Sequence, residues 1–198
     1  MDTIYQVFTG YDRTSAPSVG DYKYCPCCAA SLELTPDDDR HRPWCPRCGF
    51  IQFKNPAPAV AILIVRDDRV LLGKRSGPPG AEKWATLSGY IEFDEDFLTT
   101  GIREAKEETG LEVEIVAILN VASSFISPGY HFFSVYLLGR VIGGDMVPGS
   151  DMGELRWFPL DQPMPVLAFE EDAMMIERIA RGDICGLPVD RRYASMTK

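Results

Sequence analysis

The chain has 198 residues, of which 45% are hydrophobic and 25% charged, and a formal net charge of −9. That composition suits one sizeable core with room for a small appended module. The acidic balance argues against a broad electrostatic grip on nucleic acid or on an anionic membrane surface.

The first residues, MDTIYQVFTGYDR, lack the basic and then apolar regions of a signal peptide. A cytoplasmic, reducing compartment is therefore expected, in which the six cysteines read as thiolate ligands rather than disulfides. Residues 1–21 show no clear period and are expected to form an irregular arm. In 22–54, CPCC (25–28) and CPRCG (45–49) give C-x2-C-x16-C-x2-C. Each C-x2-C turn converges two sulfurs on one metal, so Cys25, Cys28, Cys45 and Cys48 are the expected ligands of a zinc ion. A closed four-sulfur site leaves no open position for a reacting water, which favours a structural role. Cys27 lies too near Cys25 in sequence for the usual knuckle, and Ala29 stands where the second knuckle has Gly49. His41, between the knuckles, is either a substitute ligand or a solvated loop residue. Cys185 stands alone near the C-terminus and is expected to be a small packed side chain.

KNPAP (54–58) reads as a turn-rich linker. AVAILIV (59–65) is far too short to span a bilayer and reads as a buried strand, with RDDR as a turn and VLLGKR (70–75) as its hairpin partner. SGPPGAEK is a loop leading to WATLSGY. A helix is expected from Asp94, with Glu95 and Asp96 in its first turn, to Gly110. Two strands follow, VEIVAILNVA and YHFFSVYLLGRV, joined by SSFISPG, and then a shorter one, ELRWFPL. FEEDAMMIERIARGD places Phe169, Ala173, Ile176 and Ala180 at helical spacing. Strands mixed with two helices, without strict alternation, predict an α/β fold layered around a mixed sheet. The expected division is an arm (1–21), a zinc ribbon (22–54), a main α/β domain (57–182) and a C-terminal tail (183–198).

The first helix carries the unusual signal. Glu107 lies about 60° behind Glu104 and Glu108 about 40° ahead of it, so the three share one face, while Leu98, Ile102 and Ala105 form a separate apolar stripe. Like charges three and four residues apart repel. A divalent cation resolves the repulsion, because clustered carboxylates beside a glycine turn make a hard oxygen site for Mg2+.

These residues carry a resemblance. G89-x5-E95-x7-R103-E104-A105-x-E107-E108-x-G110-L111 resembles a complete Nudix box, the loop–helix motif of Nudix hydrolases. The resemblance spans about residues 57–182, and the box is its specific part. It implies an α/β/α sandwich with a mixed sheet, and Mg2+- or Mn2+-dependent hydrolysis of a nucleoside diphosphate linked to another moiety. It implies Glu104 and Glu108 as main Mg2+ ligands with Glu107 at the cluster, a backbone carbonyl from Ser88, and Arg103 orienting a carboxylate. The box departs from commoner members at Ser88, where Gly or Ala is usual, and at Asp94, where Gly often sits. The general base of such enzymes lies in the box, where Glu107 is a candidate, or on a later loop, where Glu154 precedes RWFPL.

A zinc ribbon followed by a Nudix domain resembles two groups. NADH pyrophosphatases carry an SQPWPFPxS-like array, which ASSFISPGYHFF lacks. FAD and ADP-ribose pyrophosphatases are the better match through KNPAPAVAILIV, GYIE and ELRWFPLDQPMPVLAF. Lys74 and Arg75 are candidates to meet substrate phosphates, and Trp84 to line the site. Phe125, Tyr130, Phe132 and Phe133 are stacking candidates or core. The expected partner is a nucleotide small molecule. Membrane and nucleic acid are not expected, and a homodimer stays open. The rival class is a non-enzymatic regulator that senses nucleotide or grips nucleic acid. The basic residues Lys23, Arg40, Arg42, Arg47 and Lys54 are offset by Asp21, Glu33 and Asp37–Asp39 and give it no basic stripe.

Overall fold

Ala57–Arg66 (β4) and Arg69–Arg75 (β5) form the hairpin at the centre of the sheet. Positions along them alternate between two apolar cores. Val60, Ile62, Ile64 and Leu71 belong to one cluster, Ala61, Leu63, Val70 and Leu72 to the other. A strand buried on both faces has no polar alternation to display, which is why 59–65 is an unbroken apolar run.

The computed structural model describes residues 5–12, 20–35, 40–149 and 151–190. Asp37–Asp39 and the last eight residues lie outside these. In chain order the remaining elements are β1 (Val7–Thr9), β2 (Glu33–Leu34), β3 (Pro43–Trp44), β6 (Trp84–Ala85), β7 (Leu87–Tyr90), α1 (Phe97–Thr109), β8 (Leu111–Ser127), β9 (Tyr130–Gly144), β10 (Met152–Pro159), α2 (Glu170–Ala180) and β11 (Leu187–Pro188). The main sheet runs β1-β8-β9-β4-β5-β10, with β11 on β8, β6 on β5 and β7 on β4. It is mixed: β4 is parallel to β9 and antiparallel to β5 and β7. Leu98 and Ala105 of α1 pack into the first cluster, Met175 and Ile176 of α2 into the second. The result is the expected α/β/α layering around a mixed sheet.

Several sequence expectations change in detail. The first helix starts at Phe97 and not at Asp94. Asp96 is its N-cap, accepting from the Leu98 and Thr99 amides, so Glu95 lies outside the helix. An aspartate cap of this kind is worth about 1 kcal/mol. Gly110 ends the helix in the left-handed conformation, with φ 71°. The strands expected to stop before SSFISPG continue through it, to Ser127 and from Tyr130, leaving Pro128 and Gly129 as the turn. Sheet pairing overrides the local preference of two serines. The arm contains β1 and the tail contains β11, each adding a short edge partner to β8. Cys185 is exposed and not packed, in a stretch between Gly182 and Gly186, both at positive φ.

By contacts, the described chain forms two units. One contains Ala57–Ser124 with the stretches up to Phe8 and from Phe132 onward. The other contains Thr9–Pro56 with Phe125–His131. In the second, β2 and β3 pair antiparallel and carry the two cysteine turns. No helix among the described residues is long and apolar enough to cross a membrane.

Candidate active site

The ribbon's four sulfurs converge. Sγ of Cys25 and Cys48 lie 3.5 Å apart, as do those of Cys28 and Cys45, and all four fall within 4.8 Å of one another. Four thiolates around zinc at about 2.3 Å require edges of about 3.8 Å, so the donor set fits that ion. The two knuckles are built alike: Ala29 and Gly49 donate to the carbonyls of Cys25 and Cys45, and both take positive φ, 59° and 78°. Ala29 therefore adopts, at a steric cost, the conformation for which Gly49 is suited. Cys27 is exposed and outside the cluster, and its amide donates to Cys25 Sγ. His41 is likewise absent from the cluster.

The acidic site is assembled where β7 meets α1. All five N–H groups of Arg103 are engaged. Nε and Nη2 clamp the Glu95 carboxylate at 2.7 and 2.9 Å, and Nη1 donates to Glu104 at 2.7 Å and Glu107 at 3.1 Å. The second Nη2 hydrogen reaches the Tyr90 carbonyl at 3.2 Å. The Arg103 bonds, working against partial desolvation, bring the Glu95 carboxyl down to about 2. With no donor left over, Arg103 faces protein groups and sets the angle of Glu104.

The three box glutamates separate by environment. Glu108 is buried, and Ser88 donates its amide to Oε2 at 3.1 Å. Burial, and then the neighbouring Glu104 charge, push Glu108 up to about 8, with Arg75 opposing and Asp151 adding. Burial also raises Glu104, against the pull of Arg103. Glu107 is 61% exposed at its side chain, so the helical face that groups the three in projection does not present them equally. Glu104 also lies over Gly89: a Cβ there would sit 1.8 Å from its Oε1. Ser88 meets Glu108 through its amide, and its carbonyl is the group the motif resemblance implies as a cation ligand. A buried Glu108 and a half-buried Glu104, both with raised proton affinity, make a donor set that a hard cation fits, because the cation adds positive charge to that of Arg103 and Arg75.

The other sequence candidates lie as follows. Arg75 donates from Nε to the Pro79 carbonyl at 2.7 Å, stacks over Phe169, and lies within electrostatic reach of Glu108. Lys74 pairs with Glu82 at 2.7 Å. Glu154 sits opposite Lys74 in the β10–β5 ladder and ion-pairs with Arg156. Trp84 is half-buried, edge-on to Phe158 at 4.8 Å. Phe132 tilts against Tyr90 at 5.8 Å.

Asp151 and Gly89 are the contributors that periodicity does not reveal. The loop after β9 is laced to the end of α1: Val147 and Gly149 donate to the Thr109 and Glu108 carbonyls, while Ser76 donates to the Asp151 carbonyl. These bonds hold Asp151 near Glu108.

A NUDIX domain model matches residues 55–179, and a Nudix N-terminal zinc-ribbon model matches residues 23–54. The chain belongs to the Nudix hydrolase family, with that family's zinc ribbon ahead of the hydrolase domain, and by membership it is a pyrophosphohydrolase. It is 35% identical over 124 residues to the ADP-ribose pyrophosphatase of Methanocaldococcus jannaschii, covering 62% of this chain and 73% of that protein. It is 30% identical over 148 residues to the NAD-capped RNA hydrolase NudC of Pseudomonas aeruginosa, covering 74% of this chain. The chain spans about half the length of that second relative, 51%. A solved NUDIX hydrolase from Nitrosomonas europaea superposes with a TM-score of 0.72 at 27% identity, over 81% of this chain and 91% of that one.

Proposed function

We propose that this protein hydrolyses the diphosphate bond of an ADP-ribose-like nucleoside diphosphate, releasing AMP and a second monophosphate, with Mg2+ or Mn2+ at the box carboxylates. The observation that carries the reading is the placing of Glu104, half-buried, and Glu108, buried, side by side against the Ser88–Gly89 backbone, where a cation would favour the charged form of both. Glu104 and Glu108 would hold the cation, and Glu107, more exposed, would join from the rim. When bound, the cation neutralises phosphate oxygens and lowers the cost of charge building up at phosphorus. Arg103 positions Glu104 and makes no contact with substrate. Arg75 supplies positive charge beside the carboxylates, suited to an anionic diphosphate.

The chemical step adds water across a phosphoanhydride. A new P–O bond forms, the bridging P–O bond breaks, and the water's proton passes to a carboxylate while the departing phosphate takes the electron pair. The candidates for that proton are Glu107 and Glu154, with Asp151 a third because its charge acts on Glu108. The tetrathiolate ribbon would carry one zinc in a structural role.

The likeness to an ADP-ribose pyrophosphatase over 73% of its length supports ADP-ribose. The NudC likeness supports a second reading, the diphosphate of NADH or of an NAD-capped RNA end. FAD remains a candidate from the sequence resemblance alone. Binding energy from the moiety beyond the shared diphosphate must decide among them. The test is one Mg2+-dependent panel of ADP-ribose, FAD, NADH, NAD-capped RNA and nucleoside triphosphates, compared by kcat/KM. ADP-ribose should lead it. A clear lead for NADH or the capped RNA would select the second reading, and no turnover of any member would select the regulator.

A further inference from the structure

The chain between Trp84 and Tyr90 changes partner strands. Ala85 pairs with Gly73 of β5, and two residues later Leu87 pairs with Ile62 of β4. Thr86 is the crossover residue, buried at 1% exposure and in neither ladder. A buried backbone N–H without a ladder partner needs another acceptor. Asp172, in the first turn of α2 and 2% exposed, provides it: Oδ2 accepts from the Thr86 amide at 2.9 Å and Oδ1 from its hydroxyl at 2.9 Å. Tyr136 of β9 donates to Oδ1 as well, at 3.1 Å.

The crossover sets the register of everything after it. Two residues on, the Ser88 amide meets Glu108, and three residues on, Gly89 lies beneath the Glu104 carboxylate. Glycine alone leaves room there, since any Cβ comes within 1.8 Å of Oε1. A slip of one residue would bring Ser88 or Tyr90 under Glu104 and move the amide from Glu108. We propose that Asp172 is a positioning residue for the acidic site, locking through Thr86 the register that puts the Ser88 amide and the Gly89 backbone against the two glutamates. This rests on the reading of Glu104 and Glu108 as cation ligands. Tyr136 shares the same carboxylate but lies on a different strand, so its bond stabilises the network without fixing the crossover.

The test titrates Mn2+ calorimetrically into the zinc-loaded full chain, with thermal melting of each variant in parallel. Asp172→Asn should weaken Mn2+ binding about tenfold, because an NH2 donor replaces one of the two oxygens that accept from the Thr86 amide, the Thr86 hydroxyl and the Tyr136 hydroxyl. Thr86→Val, which keeps its N–H and its shape, should weaken it several-fold, and Thr86→Ser should restore wild-type affinity. Tyr136→Phe should lower the melting temperature and leave the affinity unchanged. That split separates positioning from general stability, and Thr86→Val carries the test if Asp172→Asn fails to fold. Wild-type affinity in Thr86→Val and in folded Asp172→Asn would overturn the positioning role alone. Absence of Mn2+ binding by the wild-type chain would overturn the cation reading and this proposal together.

Discussion

Gly89→Ala isolates the carboxylate site from the fold. Gly89 is not at positive φ, so alanine meets no backbone penalty there, and the whole effect is steric. The added Cβ would lie 1.8 Å from Glu104 Oε1, 2.0 Å from Cδ and 2.6 Å from Cγ. Ordinary contact between carbon and oxygen is roughly 3.3 Å, so the carboxylate must retreat by about 1.5 Å. The obstacle is the end of a flexible side chain that is 13% exposed, which can swing away without moving backbone. It then loses its 2.7 Å bond from Arg103. The cost to stability is accordingly about 1–2 kcal/mol, the range for a lost charge-assisted hydrogen bond partly replaced by water. The cost to function is larger, since a misplacement of about 1 Å at a reacting centre can remove on the order of 10²-fold in rate. Thermal melting, Mn2+ titration and kcat/KM on the preferred diphosphate measure the three quantities. A variant that melts within a few degrees of wild type and turns over at the wild-type rate would refute the role given to Glu104.

Four further outcomes are expected. Glu108→Gln should lower kcat/KM on the order of 10²-fold or more while raising the melting temperature of the cation-free protein, because a buried carboxylate held at about 8 opposes folding once ionised. In the cation-free wild type the folded state binds the extra proton, so stability should fall as pH rises from about 4.5 towards 8. Saturating Mg2+ should flatten that slope, and a stability curve rising through the window would contradict the assignment. Elemental analysis should find about one zinc per chain, and Cys45→Ser should lose it and unfold the ribbon ahead of the rest of the protein; a metal-free chain with an intact ribbon would count against the zinc site. Ala29→Gly should stabilise the first knuckle by about 1 kcal/mol, since Ala29 holds φ 59°, read as slower zinc loss to a competing chelator.

Much of the site was legible because its chemistry is local in sequence. Cys25, Cys28, Cys45 and Cys48 needed only their spacing, since a C-x2-C turn closes on a metal with little help from the rest of the chain. The 3.6-residue period grouped Glu104, Glu107 and Glu108 on one face beside a glycine turn, and the resemblance to the Nudix box supplied the role of Arg103. The unbroken run in β4 announced a strand covered on both faces, and with it the layering.

Tertiary structure decided what depended on partners distant in sequence. Helical projection gave Glu107 and Glu108 the same face, but only packing against β7 buried one and left the other at the rim, and burial separates their proton affinities. Glu154 was placed by its position before RWFPL, yet sheet register set it opposite Lys74, while backbone bonds from the loop to α1 brought Asp151 to Glu108. Asp172 reads in sequence as one acid among three at a helix start. Its bond to Thr86 spans 86 residues, and no local period encodes a carboxylate chosen to satisfy a backbone amide where two strands part.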